Sequence, residues 1–179
     1  MDFQLSDEQT LIVDTVRNFL EKEIYPHEKL VEETGAVPKE LGVEIAKKCK
    51  EIGFFAANFP SDLGGGGLNH LEFTLLEREL GRGSNALTIF FGRPSGILMA
   101  CNEQQKEKYL FPAIKGEKFD ALAMTEPGAG SDVRGMECTA QKKNGDWIVN
   151  GTKHFISHAD IADFIIVFIA TGEEETAKG

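Results

Sequence analysis

The side chains with the most chemical capacity are crowded into one stretch, Ala123-Met124-Thr125-Glu126-Pro127-Gly128-Ala129-Gly130-Ser131-Asp132-Val133-Arg134-Gly135. Thr125 and Ser131 bring hydroxyls, and Glu126 and Asp132 bring carboxylates. Glycines 128, 130 and 135 let a backbone approach a ligand closely and, with Pro127, exclude a helix interior. Three kinds of chemistry are open to such a stretch. It could hold a ligand through hydroxyls and backbone, run acid–base chemistry on its carboxylates, or merely join two domains.

Other constellations are weaker. His154 and His158 stand four apart, a metal-ligand spacing on a helix, but Phe155-Ile156 between them read as strand and turn, and no H-E-x-x-H accompanies them. A metal is therefore disfavoured. Ser131 lies in Gly130-Ser131-Asp132, not in the G-x-S-x-G elbow of a nucleophile. Gly128-Ala129-Gly130 opens like a dinucleotide fingerprint, yet Val133 occupies the place of its third glycine. Gly64 to Gly67 are consecutive glycines without a following Gly-Lys-Ser/Thr, so they predict a flexible surface turn and no phosphate loop.

The elements that must position these residues change character near Leu122. Before it the chain is helical. Ser6-Asp7-Glu8-Gln9 is a capping box, and Leu11, Ile12, Val16, Phe19, Leu20 and Ile24 form one apolar face. Pro26 should kink or interrupt that helix. Pro38 starts a second helix with a stripe of Leu41, Ile45, Cys49 and Ile52, ended by Gly53. Asn69 with Glu72 caps a third, whose apolar side is Leu71, Phe73, Leu75, Leu76 and Leu80. Ala86 to Cys101 predict a buried helix that Pro94 and Gly96 could split, and Asn102-Glu103-Gln104-Gln105 starts one more. Beyond Leu122, Cys138 to Lys143, Trp147 to Asn150 and Phe164 to Ala170 read as strands, with a hairpin at Asn144-Gly145.

Bulk properties narrow the partners. The formal charge of -10 argues against nucleic acid and anionic membrane surfaces. Cys49, Cys101 and Cys138 are too few and too scattered for a disulfide framework or zinc cluster, which suits a reducing compartment. The start Met1-Asp2-Phe3-Gln4 resembles neither a signal nor a transit peptide, and Phe164 to Ala170, the longest apolar run, is too short to span a bilayer. The expectation is a cytoplasmic protein. The polar tail Glu173 to Gly179 does not resemble a domain end, so the chain reads as the front of a longer protein.

Ala123-Met124-Thr125-Glu126-x-x-Ala129-Gly130-Ser131-Asp132-x-x-Gly135 resembles, position for position, the first signature of the acyl-CoA dehydrogenase family. The resemblance runs through Leu5-Ser6-Asp7-Glu8-Gln9, Pro60-x-x-Leu63-Gly64-Gly65, Glu103-Gln104-Gln105-Lys106-x-Lys108-Tyr109-Leu110 and Asn150-Gly151-x-Lys153-x-Phe155-Ile156-Ser157. It implies an α+β multidomain fold: an all-α N-terminal domain over residues 1–120, then the start of a middle β domain over 121–179. A C-terminal helical domain lies outside this sequence.

The resemblance also implies a function. It is FAD-dependent α,β-desaturation of an acyl-CoA, in a homotetramer that passes electrons to an electron-transfer flavoprotein. A carboxylate takes the α proton while hydride leaves the β carbon for the flavin. That carboxylate comes from the C-terminal part, so no catalytic base is assigned within 1–179. The alternatives are an enoyl-CoA reductase running the reverse reaction and a non-catalytic flavin- or acyl-CoA-binding protein of the same fold.

Site residues follow by position. Leu122 (where an aromatic is usual), Ala123, Met124, Thr125, Gly130 and Ser131 lie on the segment that wraps the flavin. Ser131 also contacts the CoA part of the substrate. Phe155 and Ile156 pack on the flavin, and Ser157 replaces the commoner threonine near N5, keeping the hydroxyl and losing the methyl. Glu126 and Asp132 are expected to brace the loop by backbone hydrogen bonds. Phe90, Phe91 and Arg93, by resemblance near the floor of the acyl pocket, replace small residues and imply a restricted or unusual acyl group.

Overall fold

The computed structural model describes residues 4–171, and the chain divides into two units, Met1–Glu117 and Lys118–Gly179. The readings at Met1–Phe3 and at the 173–179 tail lie outside the described residues.

In the first unit Ser6 caps α1, Asp7–Phe19: its hydroxyl accepts the Gln9 N–H at 3.2 Å, and Gln9 Oε1 accepts the Ser6 N–H at 3.1 Å. The helix does not break at Pro26. It opens into a π-turn, Leu20–Ile24, and resumes as α2, Tyr25–Thr34. Pro26 lacks an N–H and its ring would strike the carbonyl one turn back; the wider turn accommodates both defects. The same arrangement recurs at Pro112, where a π-turn at Lys106–Leu110 precedes the helical turn Phe111–Ile114.

Helix α3, Lys39–Glu51, buries Ile45 and Cys49, and α4, His70–Leu80, buries Leu75, Leu76 and Leu80. The cap at Asn69 forms with Glu72 as expected. Leu71 does not join the buried side; it is exposed. The core of this unit gathers Val16, Leu20, Ile24, Ile45, Phe59, Leu80, Leu87 and Phe91. The single helix foreseen over 86–101 is instead split. A short helix, Asn85–Thr88, tightens into a 3-10 turn at Ile89–Phe91, stops at Gly92 with φ of 66°, and is followed by a 3-10 segment at Gly96–Ala100. Gly92 and Pro94 supply the break.

The glycine run corrects another expectation. The N–H groups of Gly64, Gly65, Gly66 and Gly67 donate to the carbonyls of Ser61, Pro60, Ala56 and Phe59. A Cβ on Gly65 would lie 2.3 Å from the Phe59 carbonyl oxygen. The run is a tightly folded turn that needs glycine for close approach.

Among the described residues the second unit holds two small sheets. Strands β1, Asp120–Ala123, and β4, Phe164–Val167, pair in parallel, with Ala123 opposite Val167. Strands β2, Thr139–Lys143, and β3, Asp146–Asn150, form the antiparallel hairpin. Its turn residues, Asn144 and Gly145, both take positive φ, 54° and 93°, as a type I′ hairpin requires. The expected strand over 164–170 ends at Val167, and Ala170 rejoins as a single bridge to Thr139. Strand β1 was not foreseen: four residues, Asp-Ala-Leu-Ala, carry little strand propensity.

Candidate functional site

β1 delivers the signature stretch. Ala123 is buried, and its carbonyl accepts the Phe168 N–H at 3.0 Å, so the chain leaves the sheet at a fixed point. Four residues later it turns sharply. Glu126 N–H donates to Ala129 O at 2.9 Å and Ala129 N–H returns to Glu126 O at 3.2 Å, with Pro127 and Gly128 at the corner. Asp132 Oδ1 then accepts the Arg134 N–H at 3.2 Å and caps a 3-10 turn at Val133–Gly135.

Glu126 is the centre of this region. Its residue is 4% exposed, and its carboxylate accepts the backbone N–H groups of Glu137 and Cys138. Lys153 Nζ donates to Glu126 Oε1 at 2.6 Å and to Met124 O at 2.9 Å. Burial alone would push the Glu126 carboxyl up. The bonds from Lys153, Glu137 and Cys138 outweigh burial and hold it at about 2. Burial, and then the neighbouring Glu126, raise the Cys138 thiol, which disfavours its thiolate. A carboxylate so firmly ionised and enclosed cannot exchange protons with a substrate near neutral pH. Glu126 is a brace, and so is Asp132 on a smaller scale.

The second segment is bound to the first. His154 N–H donates to Thr125 O at 3.0 Å, alongside the two Lys153 bonds. Gly151 makes the approach feasible. Its φ is 143°, and a Cβ there would fall 2.2 Å from Cys138 Sγ. Phe155 follows at φ of 55° and is 87% exposed, its ring stacked on His154 at 4.1 Å. A bulky residue in the left-handed region and largely in water carries a backbone cost and a solvation cost. Ser157 is exposed and Ile156 half-buried beside it.

The expected flavin-contacting residues are thus gathered in part. Met124 and Thr125 are tied directly to the 153–154 segment that leads into Phe155, Ile156 and Ser157. Leu122 sits on β1, 40% exposed, and Gly130 and Ser131 lie exposed past the turn. Three features fit a flat cofactor with an apolar face and polar edges. The Met124 and Thr125 N–H groups and the Thr125 and Ser131 hydroxyls have no hydrogen-bond partner among the described residues. Gly130 and Gly135 have neither positive φ nor any atom within 4 Å of an added Cβ. Phe155 offers a largely exposed ring.

Two features escaped the motifs. Lys153 stood in the second motif, but nothing in its spacing marked it as the buried link to Met124 and Glu126. In the helical unit Glu79 is 1% exposed, bonded to Arg17 Nε at 2.7 Å and to Arg78 Nε at 2.8 Å. Arg17, and then Arg78, hold its carboxyl below the usual range against the opposing effect of burial. The only available signal was the concentration of arginines at 78 and 82. The aromatic pair near the expected acyl floor is also engaged in packing. Phe91 is buried edge-on against Phe19 at 4.8 Å, and Phe90 lies over Gly42. Arg93 pairs with Glu77.

Among the described residues no helix is long and apolar enough to cross a membrane, and no group of His, Cys, Asp and Glu could hold a metal.

Residues 6–117 match the family model for the acyl-CoA dehydrogenase N-terminal domain, and residues 121–179 match that for the middle domain. The chain belongs to the acyl-CoA dehydrogenase family. Among its relatives is a 3-(aryl)acrylate reductase of Clostridium sporogenes, 38% identical over 97% of this chain and 46% of the relative. Another is the caffeyl-CoA reductase–Etf complex subunit CarC of Acetobacterium woodii, 35% identical over 97% of this chain and 46% of the relative. A glutaryl-CoA dehydrogenase from Mycobacterium smegmatis, solved in complex with FADH2, superposes with a TM-score of 0.81 at 28% identity, covering 93% of this chain and 43% of that one. The chain therefore spans about half the length of the proteins it matches.

Proposed function

We propose that this chain is the helical and flavin-cradling portion of an FAD-dependent oxidoreductase that interconverts an acyl-CoA thioester and its α,β-unsaturated counterpart. The observation that carries the reading is the lacing of two segments 27 residues apart, through Lys153 to Glu126 and Met124 and through His154 to Thr125. It brings the free donors of Met124 and Thr125 beside the exposed Phe155 and Ser157. Bound FAD supplies the two-electron acceptor. Met124 and Thr125 offer donors to its polar edge, Phe155 covers apolar surface, and Ser131 meets the acyl-CoA. The α-proton acceptor is assigned to no residue of this chain. An electron-transfer flavoprotein as redox partner is supported by the name of the A. woodii relative. A homotetramer rests on the family resemblance.

A second reading concerns direction and substrate. Both curated relatives above are named as reductases, and both names carry an aryl group on an acrylate-type acyl chain. Reduction of an aryl-substituted enoyl thioester uses the same binding residues.

One titration separates these readings. Full-length protein loaded with FAD should be yellow. It should bleach anaerobically with a 3-arylpropionyl-CoA if it is a dehydrogenase. If it is a reductase, the dithionite-reduced form should recover its colour with an aryl-acryloyl-CoA. Protein that stays colourless after FAD addition sinks both. A yellow protein inert to every acyl-CoA tried leaves only a binding protein of this fold.

A further inference from the structure

We infer that Lys153, held by Glu126, is a positioning residue for the cofactor: it aims the Thr125 amide. This rests on the flavin-cradle reading above.

The argument is one of peptide geometry. The Met124–Thr125 peptide is trans and planar, so its carbonyl and its N–H point in opposite directions. Lys153 Nζ grips the Met124 carbonyl at 2.9 Å. That bond turns the Thr125 N–H to the opposite side, where it has no partner among the described residues. The next carbonyl, of Thr125, is gripped by His154 N–H at 3.0 Å. Two consecutive peptides are thus oriented by two consecutive residues of the second segment. A half-buried N–H left unpaired costs free energy, and that cost is recovered when a ligand acceptor meets it.

Glu126 keeps the lysine in place. The Lys153 side chain is 9% exposed and that of Glu126 is 3% exposed. A buried ammonium needs a paired anion, and the carboxylate is itself anchored by the N–H groups of Glu137 and Cys138. The chain of contacts runs from Glu137 and Cys138, just before β2, through Glu126 and Lys153 to one backbone amide. Lys153 does not need to touch the ligand for its loss to be felt, because it acts through the peptide it holds.

The test uses full-length protein, with FAD affinity read by fluorescence quenching, apoprotein melting, and the visible band of FAD at saturation. Lys153→Met should weaken FAD binding at least about tenfold, the loss expected for one aimed hydrogen bond. It should also shift the visible band, because a donor to the ring edge is misplaced. Lys153→Arg should recover part of both. If Lys153→Met does not fold, Glu126→Gln/Lys153→Met removes both charges together and should fold while binding FAD as weakly. Affinity within twofold of wild type in either variant, with an unshifted band, overturns the inference. So does a fall in apoprotein melting with affinity unchanged, since Lys153 is then a structural prop only. Wild-type protein that takes up no FAD instead removes the flavin reading on which the inference stands.

Discussion

Arg17 on α1 donates to Glu79 on α4 at 2.7 Å, across 62 residues of sequence. The carboxylate is buried while the arginine is half exposed, so the two partners respond differently to mutation. Arg78 at 2.6 Å and Arg82 at 3.7 Å face the same carboxylate. Arg17→Ala should lower stability only slightly, because Glu79 keeps two cations. Arg17→Ala/Arg78→Ala should cost more than the sum of the single changes, as the buried charge then loses its close partners. Urea unfolding of the two single variants and the double variant measures that coupling. Additive costs would show that the arginines act independently.

Glu126 predicts an acid limit. Its folded-state value of about 2 lies below the ordinary carboxylate range, so ionisation favours the folded state. The contribution is fully present above roughly pH 4.5 and is lost as pH falls toward about 2. Thermal melting of full-length protein between pH 6 and pH 2.5 should show a fall in that window. Glu126→Gln should start lower and show a shallower fall. Parallel curves for the two proteins would mean that other carboxylates set the limit.

Two glycines a short way apart should behave in opposite fashion. Gly151→Ala drives a methyl into Cys138 at a φ of 143° and should destabilise by about 2 kcal/mol or more. Gly130→Ala meets nothing and should leave the apoprotein's stability within about 0.5 kcal/mol. If the flavin passes close to Gly130, the same methyl weakens FAD binding. Melting and FAD titration on both variants resolve the two kinds of requirement.

Phe155 is the third case. Phe155→Gly removes an exposed ring and relieves a left-handed backbone, so apoprotein stability should stay within about 1 kcal/mol of wild type. FAD affinity should fall about tenfold or more, because an apolar ring covering the cofactor is gone. Unchanged affinity would assign Phe155 to some other surface.

The legible parts of this protein are those set by local rules. Capping at Ser6 and Asn69 and the Asn144-Gly145 turn follow from side chains acting on their own backbone within three residues. The order of helices and then strands follows from hydrophobic period. What escaped depends on distant partners. Strand β1 exists because β4, more than 40 residues on, pairs with it in parallel. The glycine run at 64–67 reads as flexible by composition, but Ala56, Phe59, Pro60 and Ser61 receive its N–H groups. Glu79 and Lys153 are charged residues of the kind ordinarily left in water, and only their distant counter-charges explain their burial. Recognition of the motifs singled out the two loops proposed as the site; that a lysine laces them together could be seen only in three dimensions.

The two π-turns have an evolutionary side. A turn that closes on the fifth residue instead of the fourth holds one residue more than its neighbours. Leu20–Ile24 and Lys106–Leu110 can therefore be regarded as single-residue insertions that the helix absorbed beside Pro26 and Pro112. Such a site tolerates length change where an ordinary helix does not. Removing one residue from either turn returns the helix to its regular pitch and leaves the faces beyond it in register. Descendants of this chain that lose the residue should lose the proline too, because a regular turn meets its ring again. Gains and losses of length at these two points should travel with the prolines.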